Sequence, residues 1–219
     1  MSDVIFDQHP ILSEYKQRIN SDITVYMQHA QDSIAAQYGK VAAENANIFF
    51  EAIKQKKDRL SGILAMISYE ICGGIDQVMI VRAATALEMV QAYLQLTRDV
   101  QQGGEATQLN GSARTLNAAM IGEHAAMMLV AGLEVNPEFR SNAMGIISHA
   151  LLTSSHGSSY VLEQKNGIRG LPQDNTQTEH IIEWCISYPL TLNPLCVGMV
   201  LAGAGCQDTD AIREYGLQI

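Results

Sequence analysis

Two short stretches of this chain carry residue types that could do chemistry. The first is Glu88-Met-Val-Gln91, followed six residues later by Thr97-Arg98-Asp99-Val-Gln-Gln102. At helical spacing, positions 98, 99 and 102 converge at one helix end. Carboxylates at all three could hold divalent cations; here only Asp99 is one, between Arg98 and Gln102. Asp99 is therefore either a residual metal ligand or an ordinary acid near a helix C-terminus, where Arg98 offsets its unfavourable position. The second stretch is the charge run Lys54 to Arg59. Lys57 and Arg59 fall within it, and read from charge alone it is a solvated run at a helix junction.

Weaker constellations compete with these. His149 and His156 lie seven residues apart, with Ser154 and Ser155 between them, but no G-x-S-x-G surrounds them to make a nucleophile. Glu123 and His124 are adjacent, so on a helix they point apart. Met120, Met127 and Met128 form a soft apolar strip, read as core in preference to a partner surface. Gly103-Gly104 could approach a phosphate, but it follows a helix C-terminus, which disfavours an anion. Cys72, Cys185, Cys196 and Cys206 are widely spaced, with no C-x-x-C pair. Buried, reduced thiols of a cytoplasmic protein are the expectation.

The elements that must position these residues are helical throughout. Ile11, Leu12, Tyr15, Ile19, Ile23, Tyr26 and Met27 recur at steps of three and four, marking an amphipathic helix ended by Gly39. Further helices are predicted over 41–52, over 58–72 with Asp58 as N-cap, and over 76–102. Others are predicted over 112–133 and over 137–155, the latter opening on Pro137. Gly157 and residues 166–175 read as loop. A helix over 178–204 should be kinked or split by Pro189 and Pro194, and a last helix starts at Asp208. β-Branched alternation never persists, so the fold class is all-α with about eight helices.

Composition limits the functions. The 219 residues are 47% hydrophobic, enough for one globular core. A net charge of -9 argues against non-specific nucleic-acid binding. The start shows no signal-peptide pattern. The longest apolar run, residues 195–206, falls short of the roughly 20 residues a membrane span needs, so no transmembrane segment is expected.

Several positions together resemble the trans-isoprenyl diphosphate synthases. Glu88 matches the leading Glu of their E-x-x-H, followed by D-D-x-x-D, where Asp99 matches the second Asp. Ile121-Gly122-Glu123 resembles their A-I-L-x-G-D. Val197-Gly198 to Gly203-Ala204 resembles G-A-I-L-A-G-A, and Glu214-Tyr215-Gly216-Leu217 resembles Y-G-x-x-x-G. Lys57 and Arg59 stand near their G-K-R-x-R-P. The resemblance implies an all-α isoprenoid-synthase-type helical bundle, one domain over 1–219, incomplete at its C-terminus and lacking the last helices. It implies condensation of isopentenyl diphosphate with an allylic diphosphate, Mg²⁺ as cofactor, and a homodimer or a heteromeric prenyl synthase subunit. It assigns Asp99 to metal, Lys57 and Arg59 to diphosphate, and Tyr93 and Leu94 to the tunnel that sets chain length.

The departures fall on the chemistry. Arg98 replaces the first Asp and Gln102 the last. Gly103-Gly104-Glu105 stands in place of R-R-G, with Arg114 only later. Cys185-Ile186 stands near the K-T position and His156-Gly157 near G-Q. No residue is assigned to catalysis. Three readings follow: a catalytically impaired member acting as a subunit, an active prenyltransferase or a fragment of one, and a helical module that binds a prenyl chain.

Overall fold

The computed structural model describes residues 9–165 and 175–204, with side chains described over 9–163 and 178–204. Among the described residues there are helices and no strands. The helices are α1 (Pro10–Tyr38), α2 (Lys40–Gln55), α3 (Leu60–Ile71), α4 (Gln77–Gln102), α5 (Glu105–Asn110), α6 (Ser112–Ala131), α7 (Pro137–Lys165) and α8 (Asn175–Ile182), then a π-helix (Glu183–Leu192) and α9 (Asn193–Leu201).

They form two compact units: Met1–Ile63 with Gln77–Leu133, and Leu64–Asp76 with Glu134–Ile219. In the first, α4 is the central helix, packed against α1, α2 and α6. From Met79 to Leu96 it buries almost every residue, Glu88 included. A helix apolar on all sides belongs in a core. The predicted stripe on α1 is present, with Tyr15, Ile19, Ile23 and Met27 buried. At Gly122 on α6, a Cβ would run into the Phe49 ring of α2, so only glycine lets these helices close. In the second unit, α7 packs against the π-helix and α9. At Gly198 a Cβ would strike the Ala65 carbonyl and Ser68 of α3, so that glycine too serves close packing.

The structure corrects several element boundaries. Residues 105–110, between two predicted helices, form the short α5. Helix α7 runs ten residues beyond its predicted end. Gly157, read as loop, lies inside it and is buried. A Cβ there would lie 2.5 Å from Cys185 Sγ, so the helix is held by packing where local propensity predicts a break. Pro189 neither splits nor ends its helix. In an α-helix its ring would collide with the Cys185 carbonyl. The chain instead adopts a π-helix, in which Asn193 N–H donates to the Tyr188 carbonyl.

The methionine strip is also corrected. Met120 and Met128 are exposed and Met127 is half-buried. Cys72, Cys185 and Cys196 are half-buried thiols, more open than expected. By length and composition alone, Thr178–Leu201 could cross a membrane, but 56% of its most apolar window is buried in the fold. A core helix passes the same test. Cys206, Glu214 to Leu217 and the helix expected from Asp208 lie outside the described residues, as does most of the expected loop 166–175.

Candidate functional site

Glu88 is the polar centre of the first unit. Its side chain is 0% exposed. Oε1 accepts the Gly62 N–H at 2.8 Å. Oε2 accepts from Lys56 Nζ at 3.0 Å and lies 3.9 Å from Arg59 Nη1. Gly62 is the third residue of α3, so Glu88 satisfies an amide left open at that helix start. The predicted N-cap, Asp58, has a different role. Its carboxylate lies 3.6 Å from Lys56 Nζ, and the cap comes from a residue 26 positions further along the chain. A buried anion at a helix N-terminus is favoured by the helix dipole and by paired cations.

Arg59 is the backbone's contribution to this cluster. It is 3% exposed and is the one non-glycine residue with positive φ (53°) among the described residues. Such a conformation is costly and persists only where surroundings enforce it. Here Nε donates to Asn20 Oδ1 at 2.7 Å and Nη1 to the Ile53 carbonyl at 2.9 Å. Burial lowers the Arg59 pKa, opposed by the charges of Glu88 and Asp58. Lys57 is exposed. The structure therefore joins Lys56 and Arg59, and leaves Lys57 out of the cluster. The signal for this was a Glu in the middle of the apolar stretch Ala83 to Val90, which on burial demands a cation.

Asp99 is occupied differently. Oδ1 accepts from Gln95 Nε2 at 3.2 Å, and Oδ2 accepts the Ala106 N–H at 3.1 Å. Its backbone carbonyl accepts the Gly104 N–H at 2.8 Å. Asp99 thus ties the end of α4 to the start of α5. The carboxylate also fills the space above Gly104, where a Cβ would meet its Cγ at 2.7 Å. Leu94 is buried, and Tyr93 is half-buried. Burial raises the Tyr93 pKa, and the Glu123 charge raises it further.

Mg²⁺ needs an octahedron of hard oxygens, usually anchored by carboxylates. The donor set at this helix end does not fit it. Asp99 has both oxygens engaged, and its would-be partners are a guanidinium and an amide. Among the described residues, no three His, Cys, Asp or Glu side chains are placed to share a metal ion.

The second unit holds an open cleft of about 710 Å³ between α7 and the π-helix. His149, His156, Tyr160 and Glu163 line it from α7, and Trp184 and Tyr188 from the π-helix. Thr153 and Ser159 add hydroxyls. The α7 residues follow steps of three and four, which put them on one face. The structure thus brings His149 and His156 to one cleft, without Ser154 or Ser155. Ser154 is buried, and Ser155 Oγ donates to the Leu151 carbonyl at 2.9 Å. Early termination of the predicted helix hid Tyr160 and Glu163 from the sequence reading.

No protein-family model and no curated protein matches the chain. Solved structures do. It is similar to geranylgeranyl pyrophosphate synthase from Corynebacterium glutamicum, complexed with isoprenyl diphosphate and magnesium. That likeness has TM-score 0.79 and 14% identity, covering 93% of this chain and 64% of that one. It is also similar to geranyltranstransferase from Thermotoga maritima, with TM-score 0.75 and 11% identity over 94% and 73% of the two chains. A third likeness is geranylgeranyl pyrophosphate synthetase from the archaeon Geoglobus acetivorans, with TM-score 0.69 and 15% identity over 89% and 65%. The chain spans under two thirds of the length of the Corynebacterium and Geoglobus enzymes. The fold is that of the trans-isoprenyl diphosphate synthases, as the collinear motifs implied.

Proposed function

We propose that this chain is an isoprenoid-synthase-fold protein that does not catalyse prenyl transfer alone and acts as a subunit beside a competent prenyl diphosphate synthase. The observation that carries this is the commitment of Asp99: both oxygens hold the α4–α5 junction, between Arg98 and Gln102. Departure of an allylic diphosphate develops negative charge that bridging metal ions neutralise. One engaged carboxylate beside a guanidinium does not assemble them. The basic residues are similarly committed, since Lys56 and Arg59 face Glu88. Lys57 remains the candidate diphosphate contact because it is exposed.

Association through α6 is supported by its exposed face. Leu116, Met120 and Met128 are 44%, 46% and 75% exposed, and Met in such a position suits an adaptable apolar interface. If a prenyl chain is bound, Leu94 and Tyr93 would set its length, with the half-buried Tyr93 as floor.

Incubation of purified protein with an allylic diphosphate, isopentenyl diphosphate and Mg²⁺ tests the reading. No product is expected from the chain alone, and altered product length is expected when a homologous synthase is added. Efficient turnover by the chain alone would overturn it in favour of an active prenyltransferase.

A further inference from the structure

We propose that Met120 and Met128 form a methionine oxidation site, at which peroxide converts two thioethers to sulfoxides and turns the apolar face of α6 polar. The site itself is independent of whether the chain acts as a subunit; its effect on a partner rests on that reading.

The observation that carries it is where sulfur is open to solvent. Nine of the ten methionines fall among the residues whose side chains are described. Met27, Met66, Met79, Met89 and Met199 are 7% exposed or less. Met127 and Met144 are half-buried. Among the described residues only Met120 and Met128 are exposed, at 46% and 75%. They stand eight residues apart on α6, roughly 12 Å at 1.5 Å per residue, and on one side of the helix. Leu116 continues the same stripe one turn earlier. Every open thioether among the described residues therefore lies on one helix face.

Packing within the chain does not account for these two side chains. The buried side of α6, with Ala118, Gly122, Ala126 and Val130, already makes its contacts with the neighbouring helices. Met120 and Met128 lie outside that seam, so a change at their sulfurs leaves the core untouched.

The chemistry needs one co-reactant, hydrogen peroxide. The thioether sulfur attacks one peroxide oxygen; an S–O bond forms and the O–O bond breaks. The departing hydroxide takes the proton from the sulfur-bound oxygen and leaves as water. Sulfur loses two electrons and the peroxide gains them. Susceptibility follows access to the sulfur, and methionine sulfoxide reductases reverse the change. A sulfoxide is polar, so an apolar partner would have to strip water from two such groups to cover the stripe.

The test treats the purified chain with hydrogen peroxide and follows the gain of one oxygen on each methionine by peptide mass mapping. Met128 should oxidise first and Met120 next, each at least about tenfold faster than Met27, Met66, Met89 or Met199. Oxidation at these two sites should leave the melting temperature unchanged and shorten retention on a hydrophobic matrix, and a sulfoxide reductase should restore the retention. The double variant Met120→Leu, Met128→Leu should keep the fold, since both positions are exposed, and its retention should not respond to peroxide. That control separates α6 from the half-buried thiols of Cys72, Cys185 and Cys196. With a homologous synthase added, the oxidised chain should associate at least about tenfold more weakly than the reduced one. Uniform oxidation across the methionines, faster oxidation of the core set, unchanged retention after selective oxidation, or a retention change that persists in the double variant overturns the proposal. Association that survives oxidation unchanged overturns the effect on a partner. Absence of association before oxidation would instead overturn the subunit reading, and the mapping and retention still decide the site.

Discussion

Lys56 Nζ lies 3.0 Å from the wholly buried Oε2 of Glu88, joining the loop before α3 to the middle of α4. The other oxygen of the same carboxylate holds the Gly62 amide. One side chain therefore caps a helix, neutralises a lysine and faces Arg59. Removing it leaves two cations and an amide without their shared acceptor. Glu88→Ala should cost about 3–5 kcal/mol, the range for breaking a buried ion pair from one side. Glu88→Gln keeps an acceptor for Gly62 and should cost less, about 1–3 kcal/mol. Urea unfolding of both variants checks the order. Equal losses would mean that the charge contributes nothing beyond the cap.

Asp99 gives a metal-linked prediction. Mg²⁺ should leave the melting temperature of the wild-type chain unchanged, because a ligand stabilises only the state that binds it. The double variant Arg98→Asp, Gln102→Asp restores three carboxylates at i, i+1 and i+4. It should gain Mg²⁺-dependent stabilisation and Mg²⁺-dependent binding of a prenyl diphosphate. Asp99→Ala, by contrast, should cost about 1 kcal/mol through loss of the α5 cap, with or without metal. A Mg²⁺ shift in the wild type that Asp99→Ala abolishes would reinstate the metal site.

Gly122 and Phe49 test the packing of α6 on α2. Alanine at position 122 would favour the helix by about 1 kcal/mol on propensity alone. It would also push a methyl into a ring that is 1% exposed and braced by Phe50 at 6.1 Å. The clash should win, giving a net loss of about 1–3 kcal/mol. Phe49→Leu should recover part of that loss in the double variant, measured as a non-additive cycle. Strict additivity would count against contact between the two positions.

Alkaline stability follows from two tyrosines. Burial raises the Tyr26 pKa, against a smaller opposing effect of Arg82. Burial and Glu123 together raise that of Tyr93. A phenol whose pKa is higher folded than unfolded binds its proton more tightly in the native state. Its contribution is complete below the unfolded value of about 10 and declines as pH rises through the folded one. The chain should therefore lose stability above about pH 10, and Tyr26→Phe with Tyr93→Phe should flatten that decline. Melting temperatures measured from pH 8 upward check the slope; identical slopes would rule out both tyrosines as its source.

Much of the fold was legible in the chain because it is local. The stripe from Tyr15 to Met27, the stop at Gly39 and the start at Pro137 each depend on residues within a few turns. The collinear motifs carried the fold class, and Gly122 and Gly198 within them prove to be points of close packing. The exposure of Met120 and Met128 was not legible, since an apolar stripe reads the same against a core or against solvent. Nor was the π-helix at Pro189: proline signals that the α-register must break, but not how.

The sequence alone determined that positions 98 and 102 offer no carboxylate, because residue identity fixes which atoms exist. Only the tertiary structure decided that Glu88 is buried and which cation meets it. Lys56 and Lys57 are neighbours of the same charge, yet the first lies 3.0 Å from Glu88 and the second is exposed. Likewise, sequence showed two histidines seven residues apart, while only the packing of α7 beside the π-helix brought Tyr160, Glu163, Trp184 and Tyr188 to the same cleft. A cleft between helices depends on their packing, which periodicity within either helix does not encode.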